Sequence, residues 1–162
     1  LVPRVSSEKR KYIPIAFVNS EVIASDAVQL VPNATEFHFG ILTSSVHMIW
    51  MRAVCGRLET RYRYSGEVVY NNFPWPKISE KNEDAVRTTA RMILEAREKY
   101  SKNTLAELYD PEREWMFPEL MKAHKANDKA VKDAYGFADD ASDEDIVIKL
   151  FEMYQNLLDA NR

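Results

Sequence analysis

The segment NNFPWP, residues 71–76, separates two parts of the chain that have different sequence patterns. Pro74 and Pro76 lack a backbone N–H donor, so this segment cannot continue a helix or form a central strand. After it, apolar residues recur at helical spacing, whereas before it strand-like and helix-like patterns are mixed. We therefore expect an α+β protein, with a small mixed strand and helix subdomain over residues 1–78 and a helical C-terminal subdomain over residues 79–162.

Three amphipathic helices are predicted in the second part. Pro118 is placed to begin one helix and Gly136 to follow its end, while Ser142 and Asp145 have the spacing of an N-terminal capping box. The apolar stripes of the three helices are Val86, Ala90, Ile93 and Leu94; Leu120, His124, Asn127, Val131 and Ala134; and Ile146, Leu150, Met153, Tyr154 and Leu157.

The first part combines short strands with one helix. Residues 12–32 are rich in Ile and Val and interrupted by turn residues, which predicts two or three short strands. Residues 36–54 carry apolar side chains at helical spacing, which predicts a single amphipathic helix that Gly56 ends. The segment GEVVY, residues 66–70, is rich in β-branched residues and predicts another strand.

Residues 57–63 alternate strictly between charged and other side chains. The period of two is that of a strand, so the odd positions are predicted to face outward and the even positions to face a core. The odd positions hold Arg57, Glu59, Arg61 and Arg63, and the even positions up to residue 64 hold Leu58, Thr60, Tyr62 and Tyr64.

Composition and spacing argue against several classes of function. No run of about 18 apolar residues is present to span a membrane, and the 4 glycines form neither a P-loop nor a GxGxxG motif. His38, His47 and His124 lack metal-ligand spacing, and His124 falls on an apolar stripe where a buried structural role is expected. The single cysteine, Cys55, allows no internal disulfide and suits a reducing, cytoplasmic setting.

The motif NNFPWP is similar to the N/D-P-P-Y/F motif of DNA amino-methyltransferases but differs from it in order. Asn72 is followed by Phe73 before the first proline, and Trp75 separates the two prolines. We therefore predict no catalytic residue, no metal and no cofactor in this chain. Because the first residue is Leu1 rather than Met, we also expect the sequence to be a piece of a longer polypeptide.

The charged edge of residues 57–63 allows two explanations. The first is a solvated ribbon whose ion pairs contribute little to stability. The second is base readout, in which Arg donates to O6 and N7 of guanine and Glu accepts from the amine of cytosine. Residues 1–78 have 9 Lys plus Arg and 6 Asp plus Glu, a net charge of +3, whereas residues 79–162 have 13 and 19, a net charge of −6. A polyanion is therefore expected to bind the first part of the chain rather than the second.

Several longer segments resemble the C-terminal part of the MmeI-like proteins. They include RVSSEKRKYIPIAFV, the run from FHFGILTSS through CGRL and RYS to YNNFPWP, LAELYDPERE and FPELMKAHKANDKAVKDAYG. These type IIL or IIG restriction-modification proteins combine a nuclease, an S-adenosylmethionine-dependent DNA adenine methyltransferase and a target-recognition domain. The resemblance implies that this chain holds the latter part of the recognition domain and the helical C-terminal domain, while S-adenosylmethionine and Mg²⁺ belong to the parent protein.

The resemblance also implies which residues would contact double-stranded DNA. It assigns base reading to Glu59 and Arg61, with Arg63 and the turn at Asp26 and Ala27 on the same surface. Contacts to the DNA backbone are expected from Arg57, Arg52, Lys9, Arg10 and Lys11. The methyltransferase domain of the same polypeptide is the expected protein partner, and no membrane contact is expected.

Two other functions stay open from the sequence. The acidic helical part, residues 79–162, could be a protein-interaction module without DNA specificity, which would show no salt-dependent affinity for DNA. A stand-alone enzyme is the other alternative, and the residues offer no catalytic constellation for it.

Overall fold

The structure is a computed structural model that describes residues 1–160 and has an α+β architecture. Short strands occur only in the first part of the described chain, and the second part is helical. The strands are β1 (Val2–Pro3), β2 (Val5–Ser6), β3 (Val28–Gln29), β4 (Gly56–Leu58) and β5 (Arg61–Arg63). The helices are α1 (Glu36–Leu42), α2 (Ser45–Val54), α3 (Glu80–Lys99), α4 (Leu105–Leu108), α5 (Pro118–Tyr135) and α6 (Asp143–Ala160), with a π-helical turn at Gly66–Tyr70 and a 3₁₀ turn at Glu114–Met116.

The strands form two small antiparallel sheets. In the first, β1 pairs with β3, so that Val2 lies opposite Gln29. In the second, β5 is central and pairs with β2 on one side and β4 on the other. Sheets of two or three short strands bury little surface by themselves, so these depend on the helices beneath them for stability.

The predicted helix over residues 36–54 is two helices, because the chain breaks between α1 and α2. Ser44 is the N-cap of α2: its hydroxyl accepts a hydrogen bond from the backbone N–H of His47 at 3.3 Å and donates to the carbonyl of Ile41 at 2.7 Å. A serine that bonds to the backbone in this way favours a helix start over a helix interior. The prediction that Gly56 caps the helix is also wrong, since Cys55 is the C-cap and Gly56 begins β4.

The predicted strand GEVVY is a π-helical turn. The backbone N–H of Asn71 donates to the carbonyl of Gly66 at 2.8 Å, and the side-chain amide of Asn72 donates to the carbonyls of Glu67 and Val68. The indole N–H of Trp50 donates a hydrogen bond to the carbonyl of Val69 at 3.0 Å. Side chains from outside the turn therefore satisfy its carbonyls, and these contacts outweigh the strand preference of the valines.

Residues 12–32 form only one short strand, β3, rather than the two or three that were predicted. Tyr12, Ile13 and Ile15 are buried, but they pack into the helical core instead of a sheet. The apolar pattern correctly indicated burial, yet it did not distinguish a strand from an extended segment held by side chains.

The two parts of the chain share one hydrophobic core. Helix α1 packs against α3, α2 packs against α6, and α3 pairs along its length with α5. Gly40 marks the closest approach: a Cβ atom there would lie 2.7 Å from Cγ1 of Val86, and the Gly40 carbonyl accepts from the Asn127 amide at 2.8 Å. A side chain at this position would push α1 away from α3.

A buried polar network also joins the N-terminal segment to the helices. Arg97 is 9% exposed and donates to the carbonyl of Ile15 at 2.7 Å and to the hydroxyl of Tyr109 at 2.9 Å. The same hydroxyl lies 2.7 Å from Nε2 of His124, which confirms the predicted buried structural role of this histidine. Tyr12 stacks on the His124 ring at 4.1 Å. A buried polar side chain destabilises the fold unless it is hydrogen-bonded. The hydrogen bonds of this network therefore hold residues 12–15 against the helices.

Acidification from pH 7 to pH 5 is expected to lower the free energy of unfolding. Burial lowers the pKa of His47 to about 3, and burial together with Arg97 and Lys11 lowers the pKa of His124 well below its usual range. In the unfolded chain both titrate near pH 6.5, so below that pH the unfolded state binds more protons. His47 should remove about 2 kcal/mol between pH 7 and pH 5, and His124 should act in the same direction.

Urea denaturation at the two pH values measures this effect. The variant with both His47→Gln and His124→Gln should be less stable at pH 7 but should show a flatter dependence on pH. Equal free energies of unfolding for the unaltered chain at pH 7 and pH 5 would contradict the expectation.

Candidate nucleic-acid interface

The alternating segment forms a tight β-hairpin. Strands β4 and β5 pair in the register Gly56–Arg63, Arg57–Tyr62 and Leu58–Arg61, which leaves Glu59 and Thr60 as a two-residue turn. The charged side chains of this hairpin are exposed, and Arg61 and Glu59 retain 46% and 76% of their side-chain surface. The guanidinium and carboxylate groups at the tip are therefore accessible to a ligand.

The prediction that all four charged residues share one face is wrong. Residues directly opposite each other in an antiparallel pair project from the same face, so Arg57 lies on the face of Tyr62 while Arg61 and Arg63 lie on the other. The Arg57 guanidinium stacks on the Tyr62 ring at 4.2 Å and donates to the carbonyl of Thr60 at 3.1 Å. The single alternating strand was an incorrect assumption, because the turn reverses the chain in the middle of the segment.

The hairpin also departs from the prediction at its even positions. Tyr62 and Tyr64 are buried as expected, but Leu58 is 43% exposed and Thr60 is exposed in the turn. The core-facing side of the ribbon is therefore confined to β5 and the residue after it.

Glu59 occupies an unfavourable backbone conformation. Its φ of 58° lies in the left-handed region, at the first turn position where two-residue hairpins favour glycine. A non-glycine residue there costs about 1 kcal/mol. The Glu59 carboxylate accepts from Nη2 of Arg61 at 2.8 Å, an exposed contact that contributes little to stability. Strain retained at an exposed tip is typical of a side chain with a role in binding.

The base of the hairpin is held rigidly. Strand β2 pairs with the other edge of β5, with Val5 opposite Arg63 and Ser6 opposite Tyr62. The Tyr64 hydroxyl lies 3.0 Å from Nε2 of His47 in α2, and burial raises the pKa of Tyr64. The phenol therefore stays protonated and tied to a buried histidine. The strand that presents the exposed tip is therefore tied to β2 and, through Tyr64, to the core.

The turn at Asp26 and Ala27 is brought close to this hairpin through Arg4. The backbone N–H of Arg4 donates to the carbonyl of Ala27 at 2.9 Å, and its carbonyl accepts from the N–H of Tyr64 at 2.7 Å. Asp26, Ala27 and Arg4 are all exposed. Arg4 was missed by the sequence analysis, because only the pairing of strands distant in the sequence places it between the two predicted elements.

The remaining predicted cations lie in different surroundings. Lys9 and Arg10 border a shallow depression of about 400 Å³ together with Glu107, Asp110 and Glu112, and Nε of Arg10 donates to the carbonyl of Tyr109 at 3.3 Å. Arg113 lines the same depression and forms ion pairs with Glu107 and Asp110 at 3.5 and 3.6 Å, so these carboxylates offset the charge of Lys9 and Arg10 only in part. Lys11 is exposed, with Nζ 5.4 Å from the centre of the Tyr12 ring, and Arg52 is half-buried in the last turn of α2.

The chemistry available at this surface is recognition by hydrogen bonding. The side chains of Arg4 and Arg63 make no hydrogen bond or ion pair within residues 1–160, so their donors are open to a ligand. Among these residues no group of three His, Cys, Asp or Glu side chains could hold a metal ion. In the same part of the chain, no helix is both long and apolar enough to cross a bilayer.

Comparison with protein families gives two adjacent matches. The family model described as "MmeI, target recognition domain" matches residues 1–77, and the one described as "MmeI, C-terminal domain" matches residues 78–160. The two matches meet directly after NNFPWP.

One curated relative and one solved structure extend this result. DNA methyltransferase A of Bacillus subtilis (strain 168) is 40% identical over 157 residues, which cover 97% of this chain and 18% of the relative. The type IIL restriction-modification enzyme MmeI, solved in complex with DNA, is 46% identical with a TM-score of 0.91 over 98% of this chain and 21% of the enzyme. The chain therefore spans about a fifth of the length of the proteins that it matches.

Proposed function

Because this chain belongs to the MmeI family and contains that family's target recognition and C-terminal domains, we propose that it recognises a specific sequence in double-stranded DNA on behalf of an adenine methyltransferase. The observation that carries the proposal is the hairpin tip, where exposed Glu59 and Arg61 side chains stand on a rigidly held strand. A hairpin of this width fits the major groove, which is about 12 Å wide.

The proposed contacts divide into two kinds. Glu59, Arg61 and Arg63 contact base edges from the hairpin, and Asp26 and Ala27 do so from the neighbouring turn. The contacts to the DNA backbone come from Arg57, Arg52, Lys9, Arg10 and Lys11.

Recognition and chemistry are proposed to be divided between domains. An adenine methyltransferase must turn its target base out of the duplex, and contacts to the flanking base pairs bring the correct adenine to the pocket. S-adenosylmethionine, and Mg²⁺ for DNA cleavage, would be bound by the remainder of the polypeptide. The chain described here would supply position and specificity, within the cytoplasm.

A second role is supported by the surface of α6. Ile148, Phe151 and Leu158 are exposed on this helix, with 58%, 44% and 40% of their surface accessible. Their positions differ by three and seven residues, which places them along one side of the helix. We propose that this side packs against the methyltransferase domain of the same polypeptide, while the hairpin faces DNA.

The proposal predicts that removal of the hairpin charges destroys sequence selectivity. The natural polypeptide that carries this chain is expressed in cells without adenine methylation, and the genomic DNA is sequenced for methylated adenines. We expect one defined motif for the unaltered protein, and loss of that motif when Glu59, Arg61 and Arg63 are all replaced by Ala.

A matched control separates this effect from a general loss of charge. Replacement of Glu83, Arg87 and Lys129 by Ala removes the same charges from a half-buried ion pair on α3 and an exposed one on α5 and should leave the motif unchanged. Retention of the original motif at the original level in the hairpin variant would contradict the proposed function.

A further inference from the structure

The segment NNFPWP, residues 71–76, has no role in the contacts proposed so far. Its Phe73 is 2% exposed, and the ring of His47 in α2 lies 4.6 Å from the ring of Phe73 in an edge-to-face arrangement. The carbonyl of Pro74 accepts a hydrogen bond from the hydroxyl of Tyr135 in α5 at 3.0 Å. The segment is therefore attached to a helix of each part of the chain.

His47 also connects this segment to the hairpin. Its imidazole is fully buried, and Nε2 lies 3.0 Å from the hydroxyl of Tyr64, the residue directly after β5. The backbone N–H of Tyr64 donates to the carbonyl of Arg4 at 2.7 Å, so the side chain and the backbone of this residue are both held. Contacts therefore run without interruption from the hairpin through His47 to Phe73 and α5.

Stability alone does not explain a hydrogen bond between His47 and Tyr64. Within residues 1–160, the Nδ1 atom of His47 has no hydrogen-bond partner, so the buried imidazole is only partly satisfied. An apolar pair of the same shape would fill the space without leaving a polar atom unpaired. A hydrogen bond adds direction, because it is strong only over a narrow range of distance and angle. It therefore fixes one orientation of the Tyr64 side chain.

The orientation of Tyr64 matters because the charged tip of the hairpin lies far from it. Arg61 is three residues before Tyr64, which corresponds to about 10 Å along a strand. A tilt of about 6° at Tyr64 would therefore move the Arg61 backbone by about 1 Å. A displacement of about 1 Å is enough to break a hydrogen bond to the edge of a base.

We propose that His47, Tyr64 and Phe73 are positioning residues for DNA recognition, which fix the hairpin relative to the C-terminal helices without contacting a base. The NNFPWP segment, at the boundary of the two matched domains, thus determines how the hairpin is held. This inference rests on the proposed function and extends it to buried residues behind the DNA-facing surface.

Methylation of duplex oligonucleotides by the natural polypeptide tests the inference. One duplex carries the motif found by sequencing of methylated adenines, and the others differ from it by a single base pair. The ratio of their kcat/KM values measures discrimination at each base pair. The base pairs read by the hairpin are those at which selectivity is lost when Glu59, Arg61 and Arg63 are replaced by Ala. Tyr64→Phe removes only a hydroxyl and should lower discrimination at these base pairs by about 2- to 30-fold.

A double variant separates positioning from stability. Tyr64→Phe together with His47→Leu replaces the hydrogen-bonded pair with an apolar pair, so its thermal midpoint should lie close to that of the unaltered protein. Discrimination at the hairpin-read base pairs should nevertheless fall by the same factor as in Tyr64→Phe alone, because both substitutions remove one contact. Phe73→Leu removes the ring beside His47 and should affect the same base pairs.

Tyr12→Phe provides the matched control. The Tyr12 side chain is also buried, and its hydroxyl donates to Asp128 in α5 at 2.7 Å, so it joins the N-terminal segment to a helix rather than to the hairpin. This variant should keep full discrimination at every base pair. Unchanged discrimination in Tyr64→Phe and in the double variant, or an equal loss in Tyr12→Phe, would overturn the inference. Absence of any defined motif in the unaltered protein would instead overturn the proposed function, and the inference with it.

Discussion

Exchange of the charges at the hairpin tip, Glu59→Lys together with Arg61→Asp, is expected to change the methylated sequence rather than to abolish methylation. The two side chains form an exposed ion pair of 2.8 Å, and the exchange keeps opposite charges at the same two positions. The hairpin should therefore fold normally, because an exposed pair of this kind contributes about 0 to 1 kcal/mol.

The change in specificity follows from the direction of hydrogen bonding. A carboxylate only accepts hydrogen bonds and an ammonium or guanidinium only donates them, so the exchange presents opposite chemistry to the same base edges. Each lost contact should cost about 1 to 3 kcal/mol of discrimination at its base pair. Sequencing of methylated adenines in cells that express each variant in the natural polypeptide would measure the new motif.

The ion pair between Glu83 and Arg87 provides a matched control. These residues lie on α3, four positions apart, and their charges can be exchanged as Glu83→Arg with Arg87→Glu. This variant should keep the original motif. If the hairpin exchange also keeps the original motif while methylation proceeds at the normal level, Glu59 and Arg61 do not read bases.

Trp50→Ala is expected to produce the largest loss of stability, about 3 to 5 kcal/mol of the free energy of unfolding. Trp50 is 1% exposed, and its indole N–H donates to the carbonyl of Val69 at 3.0 Å. Its ring also lies 5.1 Å from Phe151 and 5.9 Å from Tyr154 in α6. Truncation would leave a cavity between α2, the π-helical turn and α6, and would leave one carbonyl without its partner.

Trp115→Ala provides the matched control for this substitution. Trp115 is 79% exposed, and its indole donates to the carbonyl of Glu112 within the same loop. Its removal should change the free energy of unfolding by no more than about 0.5 kcal/mol. Urea denaturation followed by far-ultraviolet circular dichroism compares the two variants, and similar midpoints for both would show that Trp50 does not join the two parts of the chain.

Local signals correctly predicted both ends of α5 and the start of α6. Pro118 begins α5, Gly136 follows it with φ of 75°, and Ser142 exchanges hydrogen bonds with Asp145 before α6. These helix-capping contacts form between residues within a few positions of each other, so both partners can be identified in the sequence. The same applies to the buried Tyr62 in β5 and Tyr64 directly after it, which follow the strand period.

Features that depend on distant partners could not be predicted in this way. The π-helical turn depends on Trp50 from α2, which is 19 residues before the carbonyl of Val69 that it binds. The break before α2 uses a local contact of Ser44, but the apolar pattern continues through the break and masked it. The turn at Glu59 and Thr60 contains none of the glycine or asparagine residues that normally mark a tight hairpin. Its position, and with it the face of Arg57, is set by pairing with β2 and by packing of Tyr62.

The sequence alone determined the α+β class, the helical second part, the family resemblance and the identity of the charged residues at the hairpin. The tertiary structure decided which of those charges share a surface. Strand pairing joins residues 2–6 to residues 28–29 and 62–63, which places Arg4 and Gln29 beside the hairpin, while the pairing of β4 with β5 turns Arg57 to its other face. The physical reason is that periodicity reports the environment of each side chain along one element, whereas a binding surface is built from hydrogen bonds and packing between elements that are far apart in the chain.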